Sequence, residues 1–543
     1  MALLEPGLRV APERRRPRVP WGFAVALVVL GVAYLACLDE VAGLFVDDGW
    51  YVVLGRALAT GHGFTLINLP IPDVLPFYPP GFPALLALVF LVAPEFPGNV
   101  AALKAVSVVA LLLGALLLRH YFLRIRGEPP WVASGLALLV VANTTMHFLL
   151  TSAVLSEGLF LCVQVAAIVA VEHLVRGCAA SRRRSASRLL LAAALVAATV
   201  LVRSIGVMLA PAAVLYVLLR GGLRQALLFA IAIVAVLLPW QLHAVSHAPS
   251  AQERMVVNDS IAWSYAEQFK MKRAGHVEFG RETIAELPAR VARNLRRLAS
   301  DTIGALYAHP ALERTALAPI VSAAAAALTL LGLMAAARRR LTVVELYVPA
   351  TIGLLLLFGF EADRYLLPLL PFLVWYAMTG CALAVRTLLR GAGRTAERAA
   401  RQARHTAAGL LLLLVVVNAL GLVRDVADTL GVAPGRRTAW RSAFAENLNL
   451  LEWVRTRIPR DVVLATHNPG MVFLYTGNPT VGSWEGSTNA ANWRTARARF
   501  WVDNTVAAYR FPDMERSGLA PLVKTDALRL GVYQIPAPGF VVR

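Results

Sequence analysis

Apolar runs long enough to cross a bilayer recur along this chain, and they narrow the fold before any motif is considered. A helix needs about 20 apolar residues to span the hydrocarbon core. Such runs lie at roughly 21–38, 100–118, 131–149, 152–175, 189–205, 206–219, 225–242, 317–336, 342–360, 364–386 and 407–424. The stretch 189–219 is read as two short helices, because Arg203-Ser204 interrupts it near its middle. With 58% hydrophobic residues and a mean hydropathy of +0.62, a soluble globular domain is excluded. The fold class expected is a polytopic α-helical membrane protein with about eleven transmembrane helices and a small extracytoplasmic α/β C-terminal domain.

The net charge of +20 would suggest nucleic acid in a soluble protein. Here the arginines gather between the apolar runs, where they set topology instead, and no nucleic-acid partner is expected. The clusters are Arg14-Arg15-Arg16-Arg18, Arg119 to Arg126, Arg182-Arg183-Arg184-Arg188, Arg220 with Arg224, Arg338-Arg339-Arg340, and Arg386 through Arg404. The apolar stretch 82–94 is short for a span and follows Pro-Pro-Gly, so it is read as an interfacial helix. Left out of the count, it puts every arginine cluster on one side, with residues 1–20 cytoplasmic. The membrane domain then runs over 21–424. Loops 39–99 and 243–316 and the tail 425–543 face outward.

The long outer loop contains "RETIAELPARVARNLRRLASDTIGALYAHP", whose spacing predicts an amphipathic helix on the membrane surface or over a site. The tail changes composition. "LLEWVRTRIPRDVVLATHNPGMVFLYTG" reads as helix, proline turn, short buried strand and helix, and "RLGVYQI" as a final strand. The four cysteines lie in or beside apolar runs without a CxxC pair, so neither a disulfide framework nor a zinc site is expected.

Polar residues in such a chain are functional candidates by default. Asp47 and Asp48 follow the first span, and Tyr78 stands in a "YPPG" turn of the same loop. Glu157 lies in "LSEGLF", Arg203 in "VRSIG", and Glu361, Asp363, Arg364 and Tyr365 in "FEADRYLLPLLPF". In the topology above, all of these sit toward the outer face. Arginines suit a lipid phosphate, which their planar fork grips with paired charge-assisted hydrogen bonds. A carboxylate suits a general base that deprotonates an acceptor hydroxyl. If 47–60 is helical, Asp47 and Asp48 point about 100° apart. One can then face a substrate while the other pairs with an arginine or caps the helix. The arginines have a plainer reading as helix-end residues that snorkel.

These residues resemble the glycosyltransferase C superfamily, polyprenyl-phosphate-sugar-dependent transferases related to protein O-mannosyltransferases and lipid A aminoarabinose transferases. The resemblance rests on "DDGWYVVLGRALATGHGF", "YPPG" with its interfacial helix, "LSEGLF", "VRSIG", and "RYLLPLLPF" before an α/β tail, over about residues 15–480. It implies an inverting glycosyltransferase of the bacterial cytoplasmic membrane, working at its periplasmic or outer face. A polyprenyl-phosphate sugar, hexosyl or pentosyl, would be the donor, and a glycan, lipid or protein hydroxyl the acceptor. Asp47 matches the family's presumed base and Asp48 the second acid of the pair. The substrate-binding residues implied are Glu157, Arg203, Arg364, Tyr365, Tyr78 and Glu361. Arg203 and Arg364 would stabilise the departing phosphate, while Glu157 would hold the acceptor or orient an arginine. No cofactor is expected. Two departures count against aminoarabinose specificity: Pro76 and Tyr78 stand where those transferases carry glutamate and lysine, and "PW" at Pro239-Trp240 is followed by "QLHAVSH" rather than an Arg-Asn pair.

His243 and His247 are spaced to share a helix face and could bind a divalent metal. No acidic third ligand is evident, so interfacial polar residues are the simpler reading. A transporter or flippase is the competing function. It would place charges near mid-bilayer and show repeated halves, and the sequence has neither feature. A non-catalytic scaffold would leave the acids and arginines without a role.

Overall fold

The protein is described from a computed structural model. The described residues are 20–43, 45–176, 182–274, 276–310, 312, 315–359, 363–433, 435–483, 489–504, 521–525 and 530–535. After α1 (Trp21–Ala36) come α2 (Val46–Ala59), α3 (Gly81–Val92) and α4 (Val100–His120), the last continuing as a π turn to Arg126. α5 (Pro130–Ala142) and α6 (Thr144–Ser152) follow, then α7 (Glu157–Arg176), α8 (Arg182–Val202), a 3-10 turn at Ser204–Met208, α9 (Leu209–Gly221) and α10 (Leu223–Ser246). The long loop holds α11 (Ala251–Val257), α12 (Tyr265–Gln268), the hairpin β1 (Met271–Arg273) and β2 (His276–Arg281), α13 (Leu287–Arg297) and α14 (Ile303–Tyr307). α15 (Ala318–Arg339), α16 (Val343–Leu357), a 3-10 segment Asp363–Leu369, α17 (Leu370–Gly391) and α18 (Ala396–Thr429) complete the apolar part.

Among the described residues, seven helices are long and apolar enough to cross a membrane, and the pair α5–α6, bent by 45°, makes an eighth if counted as one span. The protein is thus a polytopic helical membrane protein. The other three apolar runs fall on shorter apolar helices, α1, the Ala186–Val202 part of α8, and α16. α16 has 15 residues, about 22 Å at 1.5 Å per residue, well under the roughly 30 Å of the hydrocarbon core. The run 131–149 is not one straight helix. Asn143 breaks it by accepting a hydrogen bond from the Met146 amide, so that α6 starts afresh with its own cap. The basic stretch 386–404 is largely helical, as α17 continues to Gly391 and α18 begins at Ala396.

The bundle packs tightly where small residues meet. α15 and α17 cross so closely that a Cβ on Gly332 would collide with the Tyr376 carbonyl, and one on Gly380 with the Leu328 carbonyl. Elsewhere polar side chains pin helix ends. Gln164 on α7 donates to the Pro368 carbonyl at 3.0 Å and accepts from Tyr347 at 2.8 Å, which fixes the 3-10 segment ahead of α17.

The C-terminal segment runs α19 (Arg436–Arg457), β3 (Leu464–Thr466), α20 (Pro469–Thr476), β4 (Thr480–Gly482), α21 (Asn489–Thr495), β5 (Phe500–Asp503), β6 (Pro521–Lys524) and β7 (Gly531–Gln534). Its strands form one sheet in the order β4-β3-β5-β7-β6. β3 is parallel to both β4 and β5, whereas β7 is antiparallel to β5 and β6. The sheet docks on the first outer loop. Trp50 and Leu54 of α2 and Phe64 and Leu66 beyond it share an apolar cluster with Val481 and Trp501, while Asn68 exchanges hydrogen bonds with Thr480 at 2.6 and 3.1 Å.

Replacing Gly332 with valine is expected to cost about 1–3 kcal/mol by overpacking the α15–α17 crossing. Thermal unfolding in detergent should show a lowered midpoint, and an unchanged midpoint would mean that the two helices part without penalty.

Candidate active site

The site begins where α2 starts. Two acids in the first turn of a helix face its unpaired N–H groups and the positive end of its dipole. Asp48 takes that role. Its carboxylate accepts from the Gly43 amide at 2.7 Å and the Phe45 amide at 2.8 Å, and the residue is fully buried. One position earlier on the helix, Asp47 points elsewhere and lines a pocket, with its side chain 28% exposed. Asp48, the second acid of the pair, thus faces the turn before α2 and does not line the pocket. Both of its oxygens are engaged by backbone amides, so it shapes the turn that carries Asp47.

Both oxygens of Asp47 are also engaged, by side chains. The Tyr78 hydroxyl donates to Oδ1 at 2.5 Å, and Arg364 pairs with Oδ2. Pro79 and Pro80 follow Tyr78 and fix the turn into α3. Burial holds the Tyr78 phenol well above its ordinary value, which keeps it protonated and able to donate.

Behind this pair lies a second. Arg203 falls between α8 and the 3-10 turn, in extended conformation at φ −149° and ψ 134°. The break between the two helices is thus located at the arginine itself. Its Nη1 sits 2.6 Å from Glu157 Oε1, an ion pair without aligned hydrogen-bond geometry, and the same oxygen lies 3.7 Å from Arg364 Nε. Glu157 is fully buried at the first turn of α7 and does not line the pocket. Its carboxylate thus lies between the two guanidinium groups and outside the lining of the pocket. Tyr365 lies under Arg203, with the guanidinium 4.7 Å from the ring centre.

The four charged groups form one line, Arg203–Glu157–Arg364–Asp47, and they come from four separate segments of the chain. The alternation matters because a lone buried charge is strongly disfavoured, and each member here neutralises its neighbour. Glu361 lies outside the described residues.

The pocket has two characters. Asp47, Arg203, Arg364, Tyr51, Tyr78 and Tyr265 line it together with the apolar Ile205, Val207, Leu354, Leu355 and Phe358. Sequence reasoning missed Tyr265 and Phe269, which the long outer loop contributes. The Ser264–Glu267 capping box around α12 was a readable signal of a helix there, though not of its destination. Burial pushes the Tyr265 phenol up to about 12. Arg290 of α13 ties this wall together by donating to the carbonyls of Phe269 and Leu357 at 3.2 Å and of Met271 at 2.6 Å. Among the described residues no group of three or more His, Cys, Asp and Glu is placed to hold a metal ion. The ring centres of His243 and His247 lie 4.4 Å apart, with the planes tilted by 38°.

Asp48→Ala leaves two buried amides without their acceptor, at roughly 1–3 kcal/mol for each unsatisfied group. Its melting midpoint should fall clearly below that of Asp47→Asn. Equal midpoints would remove Asp48 from its capping role.

Two solved structures similar to this chain are those of ArnT from Cupriavidus metallidurans. The form bound to undecaprenyl phosphate is 14% identical, covers 94% of this chain and 98% of its own, and superposes with a TM-score of 0.53. The apo form gives the same identity and coverage with a TM-score of 0.51. At this level of identity the likeness is one of fold alone, the fold of those two structures. No protein-family model and no curated protein sequence matches the chain.

Proposed function

We propose that this protein is an inverting membrane glycosyltransferase that moves a sugar from a polyprenyl-phosphate donor to an acceptor hydroxyl. The observation that carries the reading is the pocket itself. A carboxylate and two guanidinium groups line the same cavity as five aliphatic and aromatic side chains, Ile205, Val207, Leu354, Leu355 and Phe358. A lipid phosphate glycoside has the matching polarity, with an anionic head, a sugar and a hydrocarbon tail. The solved ArnT structure, which shares the fold, is described as bound to undecaprenyl phosphate.

Asp47 would accept the proton of the acceptor hydroxyl as its oxygen bonds to the anomeric carbon. The bond from that carbon to the phosphate oxygen breaks on the opposite side, and the lipid phosphate leaves with the electron pair. A single displacement inverts the anomeric centre. Arg364 and Arg203 meet the charge that builds on the phosphate, and because Glu157 and Tyr365 already fix them, little reorganisation is needed.

In the topology that supports this reading, each of the eleven apolar runs is one crossing, with the bent pair α5–α6 as a single span and α1, α8 and α16 as short spans met by local thinning of the bilayer. Residues 1–20 are cytoplasmic. The loops 39–99 and 243–316 and the domain 425–543 lie on the outer face of a bacterial cytoplasmic membrane, with the site beside them. Glu157 opens α7, Arg203 follows the end of α8, and Arg364 precedes α17. The charges thus gather at helix ends rather than within spans, the arrangement expected of a surface active site more than of a transport path.

Asp47→Asn is expected to cut sugar transfer by on the order of 10²–10⁴ while retaining the binding of polyprenyl phosphate. Full activity in this variant would refute the assignment of the base. A reporter enzyme fused after Arg543 that works only outside the cytoplasm should be active, and silence there with cytoplasmic activity would overturn the topology.

A further inference from the structure

The turn that carries Asp47 is held from the far end of the chain. Asn468, which caps α20 by accepting from the Met471 amide at 3.2 Å, donates through Nδ2 to the Gly43 carbonyl at 2.7 Å. Gly43 is the residue whose amide Asp48 accepts. It stands at φ +99°, and a Cβ there would run into Met471, so both its conformation and its neighbour demand glycine. One step further along, two backbones touch. A Cβ on Gly470 would lie 2.8 Å from the Gly49 carbonyl carbon, and one on Gly49 would lie 3.1 Å from the Met471 amide. The Tyr475 hydroxyl accepts from the Ala42 amide at 3.1 Å, which adds a further fastening on the same strip. Asn468 is 6% exposed and Met471 1% exposed, so the seam is closed to water.

These contacts flank Asp47 on both sides in sequence, at residues 42–43 and at 49, and none of them touches the pocket. We infer that the Asn468–Met471 turn is a positioning element for Asp47, which makes the C-terminal sheet domain a structural part of the active site rather than an appendage for an outside partner. The inference rests on the reading of Asp47 as the base. Proton transfer needs the carboxylate within hydrogen-bond reach of the acceptor oxygen. A misplacement of about 1 Å can cost on the order of a hundredfold in rate.

The test uses the full-length protein and two substitutions remote from the pocket. Asn468→Ser keeps a good helix cap but is too short to reach Gly43. Gly470→Ala forces the two backbones apart. With a polyprenyl-phosphate sugar as donor, each should lower kcat by on the order of tenfold to a hundredfold and leave the donor KM unchanged. Combined with Asp47→Asn, neither should lower the residual rate further, because there is no base left to misplace. A raised KM at unchanged kcat, or the same fold loss with and without Asp47, would overturn the inference. Loss of activity in Asp47→Asn with full activity in both seam variants would sink the positioning role alone. A fully active Asp47→Asn would instead sink the assignment of the base.

Discussion

The line Arg203–Glu157–Arg364–Asp47 is the constraint on which the rest of the structure depends. Four charges at the edge of a membrane bundle are tolerable only because they alternate in sign and lie within ion-pair reach. No single segment could supply them. α7 brings the first acid, the break after α8 brings one arginine, the 3-10 segment before α17 brings the other, and the start of α2 brings Asp47. Much of the local irregularity serves this meeting. Arg203 is extended where the helix could have continued, and the stretch before α17 is 3-10 rather than α, pinned by Gln164 through the Pro368 carbonyl.

The outer segments complete what the bundle starts. The long loop closes one side of the pocket with Tyr265 and Phe269, and Arg290 secures that wall to the end of α16. The C-terminal sheet docks on α2 and on the turn before it, the elements that carry Asp47. A pocket walled by parts from residue 47 to residue 365 and braced by residue 468 ties the folding of the tail to that of the membrane domain.

How much of this the sequence discloses depends on whether the governing physics is local. Lipid imposes long apolar runs, so the helices could be read directly. Arg203-Ser204 marks its own break, because an arginine in mid-run has to find a partner. The different directions of Asp47 and Asp48 follow from helix geometry alone. The break at Asn143 was legible in kind but was lost inside an apolar run. Glu157 was legible as important, while its depth beneath the arginines was not, since burial is decided by packing. The bond from Asn468 to Gly43 joins residues 425 positions apart, and no periodicity or motif announces such a partner.

The partners of Asp47 have a consequence for timing. One oxygen is covered by the Tyr78 hydroxyl and the other by Arg364. Each oxygen thus already accepts from a protein donor with which an incoming hydroxyl or water has to compete. On the proposed reading, an arriving phosphate competes for Arg364 and uncovers Oδ2 as it does so. The donor would then have to enter before the hydroxyl it meets, giving an ordered rather than random sequence of binding. Wasteful hydrolysis of the donor, the hazard of any activated sugar near water, would be limited by a base that is exposed only once its anionic partner has taken its place.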